Sequence, residues 1–213
     1  MKIDVWSDVL CPFCYIGKRK LEAALAKFPH AGEVAVTWRS FELDPSAKSD
    51  RSKTIYEYLA AKYGRSIDWA RQTNANLAQQ AANDGLKFDF DRVRPTNSFD
   101  AHRLLHLARA RGYQPQLQEA LFAAYFTHGQ DVSDHGALTR LATEAGLEAG
   151  EVTKVLSGQD YGDAVRAEEA QAQSLGIRGV PAFVIDEKYL ISGAQPSETL
   201  LEALNEIWSQ TKA

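Results

Sequence analysis

Strand-forming signals stand at the two ends of this 213-residue chain and nowhere between them. Residues 2–6 carry apolar Ile3 and Val5 with Trp6 behind them and read as a short strand; Ser7-Asp8-Val9-Leu10 reads as a turn. A helix is predicted to start close to Cys11, because Pro12 suits a first helical turn, where a missing N–H costs little. It runs through Lys20–Leu25 and stops at about Pro29 and Gly32, and the β-branched and aromatic run 33–41 follows as a second strand. After a polar loop, Pro45–Lys53, everything from Thr54 to Leu175 reads as helix, with segments at 54–64, 67–84, 98–111, 115–127, 134–145, 149–156 and 161–174. Strands return at 182–186 and 189–192, joined by Glu187-Lys188, and a helix from Pro196 to Trp208 closes the chain. A hairpin and one helix cannot bury themselves alone, so they must complete the N-terminal βαβ sheet. The predicted fold is therefore α/β, with residues 1–50 and 176–213 as one discontinuous domain and 51–175 as an inserted all-helical domain.

The composition excludes several functions. Hydrophobic residues make up 45% and charged ones 24%, an ordinary globular balance. A net charge of −4 without a dense basic run argues against nucleic acid as a partner. No apolar stretch is long enough to span a bilayer, so no membrane role is expected. Asp4 stands where the apolar core of a secretory leader would have to run, so a cytoplasmic location is expected.

Only two cysteines occur, Cys11 and Cys14, in the run Cys11-Pro12-Phe13-Cys14. A disulfide closing so short a loop would barely restrain the unfolded chain, and structural disulfides are rare in a reducing cytosol. Reactivity is the better reading. The first amides of a helix have no intrahelical partner and the dipole is positive there, so a thiolate at Cys11 is stabilised. Cys11 is then the exposed nucleophile, and Cys14, a turn further in, resolves the mixed disulfide. The same spacing serves zinc when two more ligands exist, and His102 and His106 lie four apart on one predicted helix. Placement after a strand in a βαβ unit favours redox over metal. Downstream, Gly176-Ile177-Arg178-Gly179-Val180-Pro181 runs straight into the hairpin, at a place where proline either opens an edge strand or takes the cis form of a tight turn. Asn97-Ser98-Phe99-Asp100 has the pattern of a helix cap, with Asn97 capping and Asp100 answering it.

In these residues the chain resembles the thioredoxin superfamily, and within it the DsbA-like proteins, whose helical domain is inserted in the thioredoxin fold. It looks most like their FrnE-type branch of predicted dithiol–disulfide isomerases. The resemblance rests on Ser7–Gly17, Trp38–Leu43, Asn97–His102 and Gly176–Phe183 and covers essentially the whole length. It implies catalytic roles for Cys11, Cys14 and a cis-proline, Pro181, facing them. It further implies substrate contacts from Pro12, Phe13 and the backbone of Val180, which pairs with an extended substrate by strand addition. It also places Asn97 and His102 in the cleft between the domains. Many relatives bury an acid six residues before the nucleophile to move protons; here that position is Val5. No metal and no cofactor beyond the dithiol is implied, and glutathione is a candidate redox partner alongside a thiol or disulfide substrate.

Two other functions share these features. Kappa-class glutathione transferases and 2-hydroxychromene-2-carboxylate isomerases resemble this architecture but typically use a serine, with one thiol position missing. A zinc-holding or chaperone-like module on Cys11, Cys14, His102 and His106 is the non-enzymatic alternative. The pair of cysteines favours dithiol chemistry over both.

Overall fold

The structure is a computed structural model that describes residues 1–211. Four strands form one mixed sheet in the order β2-β1-β3-β4: β1 Lys2–Ser7, β2 Ala35–Ser40, β3 Ala182–Ile185 and β4 Tyr189–Ser192. The first pair is parallel, as a βαβ crossover requires, and β1–β3 and β3–β4 are antiparallel. Val5 faces Trp38 on one side and Phe183 on the other, so residues from both chain ends share one register.

The central strands β1 and β3 are buried on both faces, and their alternation divides two apolar layers. Ile3 and Val5, with Phe183 and Ile185, pack under α1 (Pro12–Lys27) and α9 (Ser197–Thr211), whose Leu21, Leu200 and Leu204 are fully buried. Trp6, Ala182 and Val184 point the other way onto Ala172 and Ile177. Trp6 also donates its indole N–H to the Glu168 carbonyl at 3.0 Å.

Between β2 and β3 the chain is helical: α2 Ile55–Tyr63, α3 Ile67–Asn83, α4 Phe99–Arg111, α5 Gln114–Phe126, α6 His135–Glu144, α7 Ala149–Ser157 and α8 Gly162–Ser174. The sheet with its helical insertion is the thioredoxin-like arrangement expected. α4 and α5 form the insertion's centre, with Leu104, Leu117, Leu121 and Phe122 inaccessible. The cluster around them extends to Cys11, Cys14, Tyr15 and Ile16, so the front of α1 is packed by the insertion while its rear is packed by the sheet. α8 touches both β2 and α4.

Two local expectations need correction. Asp186 lies in the hairpin turn rather than in β3: Asp186 and Glu187 both have positive φ, the twist that a tight hairpin needs. Asn97 does not cap α4. Ser98 occupies that position without a side-chain bond, while Asn97 Oδ1 accepts from the Phe99 amide at 2.8 Å, and Asp100 turns to Arg103 and His135.

Candidate active site

β1 ends at Ser7, and the turn that follows is built by Asp8. Its carbonyl accepts the Cys11 amide at 3.0 Å, and its carboxylate takes the amides of Leu10 at 3.1 Å and Leu43 at 2.8 Å. That turn delivers Cys11 to the N-cap of α1, with Pro12 in the first helical position and no side-chain cap over the free amides. The arrangement places the Cys11 sulfur at a positive helix end.

The two thiols are not equivalent. Cys11 lines a cleft of ≈ 410 Å³ between the turn and the helical insertion; Cys14 does not, and is inaccessible. Cys11 is itself only 4% exposed, less open than expected, so the cleft is its approach. Burial pushes the Cys14 thiol well above the usual thiol range, and the neighbouring Cys11 side chain adds to the rise. Ser7 and the Asp8 backbone oppose it. The Ser7 hydroxyl is itself buried with no hydrogen-bond partner.

On the opposite wall the Val180–Pro181 bond is cis. Cys11 Sγ donates to the Val180 carbonyl at 3.5 Å, and the Pro181 carbonyl accepts the Gly193 amide at 2.8 Å, which fixes the loop to the end of β4. Pro12, Phe13, Gly179 and Val180 also line the cleft, and Phe13 is 45% exposed. Phe41 and Phe99 lie away from the cleft. Phe41 packs near Trp6, and Phe99 lies under the Arg166 guanidinium at 4.4 Å.

Asn97 and His102 stand behind the cleft instead of lining it. His102 Nε2 lies 3.6 Å from Asp8 Oδ1, with both side chains buried. Burial works against a charged imidazole there, but Asp8, then Glu42 and Glu169, outweigh it, and the His102 pKa is raised. Asn97 donates to the Ala47 carbonyl at 3.2 Å and to Glu42 at 3.4 Å, holding the chain that follows β2. His106 belongs to another network, 3.1 Å from Ser40 and 3.2 Å from Glu168. His102 and His106 therefore do not converge with the cysteines, and among the described residues no three Cys, His, Asp or Glu side chains are placed to share a metal ion. Position 5 carries no proton group: Val5 is inaccessible within the sheet core.

Sequence reasoning missed the far side of the cleft, where Tyr58, Leu59, Trp69, Asn74 and Leu77 from α2 and α3 meet Phe90 and Val93. It also missed Glu119 on α5. That carboxylate accepts from Tyr15 at 2.6 Å and Lys18 at 2.5 Å, pairs with Arg19, and so ties α1 to the insertion.

A dithiol at the start of the first helix, walled by a cis-proline loop on this sheet, defines a thioredoxin-type domain of the disulfide-exchanging class. Residues 2–205 match the model of the DSBA-like thioredoxin domain, and the chain belongs to that family. It is 29% identical over 206 residues to the uncharacterized protein YwbO of Bacillus subtilis (strain 168), covering 96% of each. A probable DsbA oxidoreductase, SCO1869 of Streptomyces coelicolor, superposes with a TM-score of 0.93 at 44% identity, over 98% of this chain and 90% of that one. 2-Hydroxychromene-2-carboxylate isomerase shares the fold at a TM-score of 0.70 and 16% identity, over 100% and 98% of the two chains.

Proposed function

We propose that this protein is a cytosolic thiol–disulfide oxidoreductase or isomerase of the FrnE-type branch, with Cys11 as nucleophile and Cys14 as resolving thiol. The observation that carries the reading is the asymmetry of the pair: Cys11 caps α1 and faces the cleft, whereas Cys14 is sealed behind it. Attack by the Cys11 thiolate on a substrate disulfide forms a mixed disulfide and releases one thiolate; Cys14 then displaces the second, leaving the Cys11–Cys14 disulfide. Val180 and Pro181 guide the substrate backbone, with Pro12 and Phe13 at the rim. Asn97 and His102 act from behind, through Glu42 and Asp8. A thiol such as glutathione, or a protein thiol, recycles the pair, and no metal takes part.

We divide the chain into a sheet domain of residues 1–50 and 176–213 and an inserted domain of 51–175, with α8 lending its Ala172 face to the sheet. A fold that hosts both an oxidoreductase and an isomerase does not choose between them. The second thiol supports the oxidoreductase reading, because a glutathione-dependent isomerase has no use for a buried resolver. The test is trapping. Cys14→Ser should accumulate a mixed disulfide with substrate, visible as a mass increase lost on reduction, while Cys11→Ser should be inert. Trapping by Cys11→Ser instead would reverse the roles, and activity surviving in both variants would end the proposal.

A further inference from the structure

The cleft extends well past the thiol. From Cys11 it runs beneath α2 and α3, past Tyr58 and Trp69, to Phe90 and Val93, and its size is that of a small-molecule site. Its charged lining is confined to Asp8, Asp44 and Lys62. Asp8 is already engaged by two backbone amides, and Lys62 is paired with Asp44 at 3.1 Å. No unpaired cation is left to receive a ligand carboxylate, and the lining charge sums to −1. One buried polar group of the lining remains unanswered. Asn74 on α3 is 4% exposed, lines the cleft, and its Nδ2 has no hydrogen-bond partner. A buried amide without a partner is costly and is kept where something else supplies the bond.

We infer that the cleft receives a neutral disulfide whose sulfur carries an apolar chain interrupted by an amide, of the size of an N-acyl aminothiol, and that Asn74 recognises that amide. This rests on the oxidoreductase reading above. The Asn74 Nδ2 is sealed as it stands, so the carboxamide turns about its terminal bond to give and take one hydrogen bond with a secondary amide, and the aromatic and aliphatic walls take the chain. Cys11 attacks the substrate sulfur, the substrate S–S bond breaks, and the distal half leaves as a thiolate that is protonated by water. Cys14, deprotonated, then attacks Cys11 and releases the acyl half. The protein loses two electrons and the disulfide gains two.

The experiment is a single turnover of the reduced protein, quenched with acid and alkylated, with oxidation of the pair read by mass. Four disulfides are compared, each normalised to its rate with dithiothreitol: bis(N-hexanoylcysteamine), bis(2-hydroxyethyl), glutathione, and an end-blocked Leu-Cys-Leu peptide. The hexanoyl compound should react about tenfold faster than each of the others. Asn74→Leu should lower its rate about tenfold and leave the hydroxyethyl compound within about twofold. Glutathione disulfide matching the hexanoyl compound would overturn the proposal. So would a faster peptide, which would assign the cleft to protein substrates, or an equal slowing of both compounds by Asn74→Leu. The wild-type comparison decides even where Asn74→Leu does not fold. Failure of all four disulfides would overturn the oxidoreductase reading, and this proposal with it.

Discussion

Gly17 and Pro181 are packed so closely that a Cβ on the glycine would lie 2.9 Å from the proline Cγ and 3.3 Å from Phe183 Cζ. The second turn of α1 therefore rests directly on the loop that carries the Val180 carbonyl. A proline ring cannot swing aside as a flexible chain would, so the helix or the loop must shift if position 17 grows. Gly17→Ala should destabilise by about 1–3 kcal/mol, read by chemical denaturation, and should change the alkylation rate of Cys11. A variant of unchanged stability and thiol reactivity would show that the contact is slack.

Thiol reactivity should differ sharply within the pair. With its thiol raised by burial, Cys14 has little thiolate near neutral pH and little access to reagent. In Cys11→Ser, Cys14 should react with iodoacetamide at pH 8 at least about tenfold more slowly than Cys11 does in Cys14→Ser. Equal rates would remove the basis for assigning roles by burial.

His102 should titrate above the ordinary histidine range because Asp8, Glu42 and Glu169 favour its charged form. For a group raised on folding, the stabilisation is complete below the unfolded value of about 6.5 and is lost as pH rises through the folded one. His102→Gln should cost about 3 kcal/mol at pH 6, and less at high pH. The ring protons in an NMR titration give the midpoint directly; a midpoint at or below 6.5 would dismiss the pair with Asp8.

Glu119 has the opposite sign. Burial resists its charge, but Arg19, Lys18 and Tyr15 outweigh that and hold it at about 2. Its contribution is present above the unfolded value of about 4.3 and fades as pH falls toward 2. With its side chain 35% exposed, solvent screening reduces the effect. Glu119→Gln should cost about 1 kcal/mol at pH 7, or some 2–4 °C of melting temperature, and the loss should shrink at pH 3. A pH-independent loss would point to packing instead.

The sheet, the helix starts and the dithiol were legible because each is a local pattern: alternation in Ile3–Val5, a proline after Cys11, a proline before a β-branched run. The far wall of the cleft was not. Tyr58, Trp69 and Asn74 lie on helices whose spacing announces a buried face but not which surface meets it. Asp8 reads as a turn residue, and only the return of the chain at Leu43 and His102 reveals it as the hub behind the thiols. The Asn97 cap failed by one residue: its Oδ1 still accepts the Phe99 amide, but α4 begins at Phe99 with Ser98 as its cap, and the Nδ2 of Asn97 is held by Glu42 and Ala47, partners some 50 residues distant.

The pairing of β1 with β3 has a consequence for how the protein is made. Ile3 waits for Ile185, and Val5 for Phe183. At ordinary elongation rates of roughly 5–20 residues per second, that wait is on the order of ten to forty seconds. Throughout it the free edge of β1 is open, and the two thiols have been synthesised without the Val180 carbonyl or the Pro181 loop over them. The ribosome thus releases a reactive cysteine pair well before its wall exists. A nascent chain in this condition is open to mispairing with other thiols and to edge-to-edge association. Truncation just before Ala182 would leave it so permanently, which makes the segment from Ala182 onward the step that turns a hazard into a site.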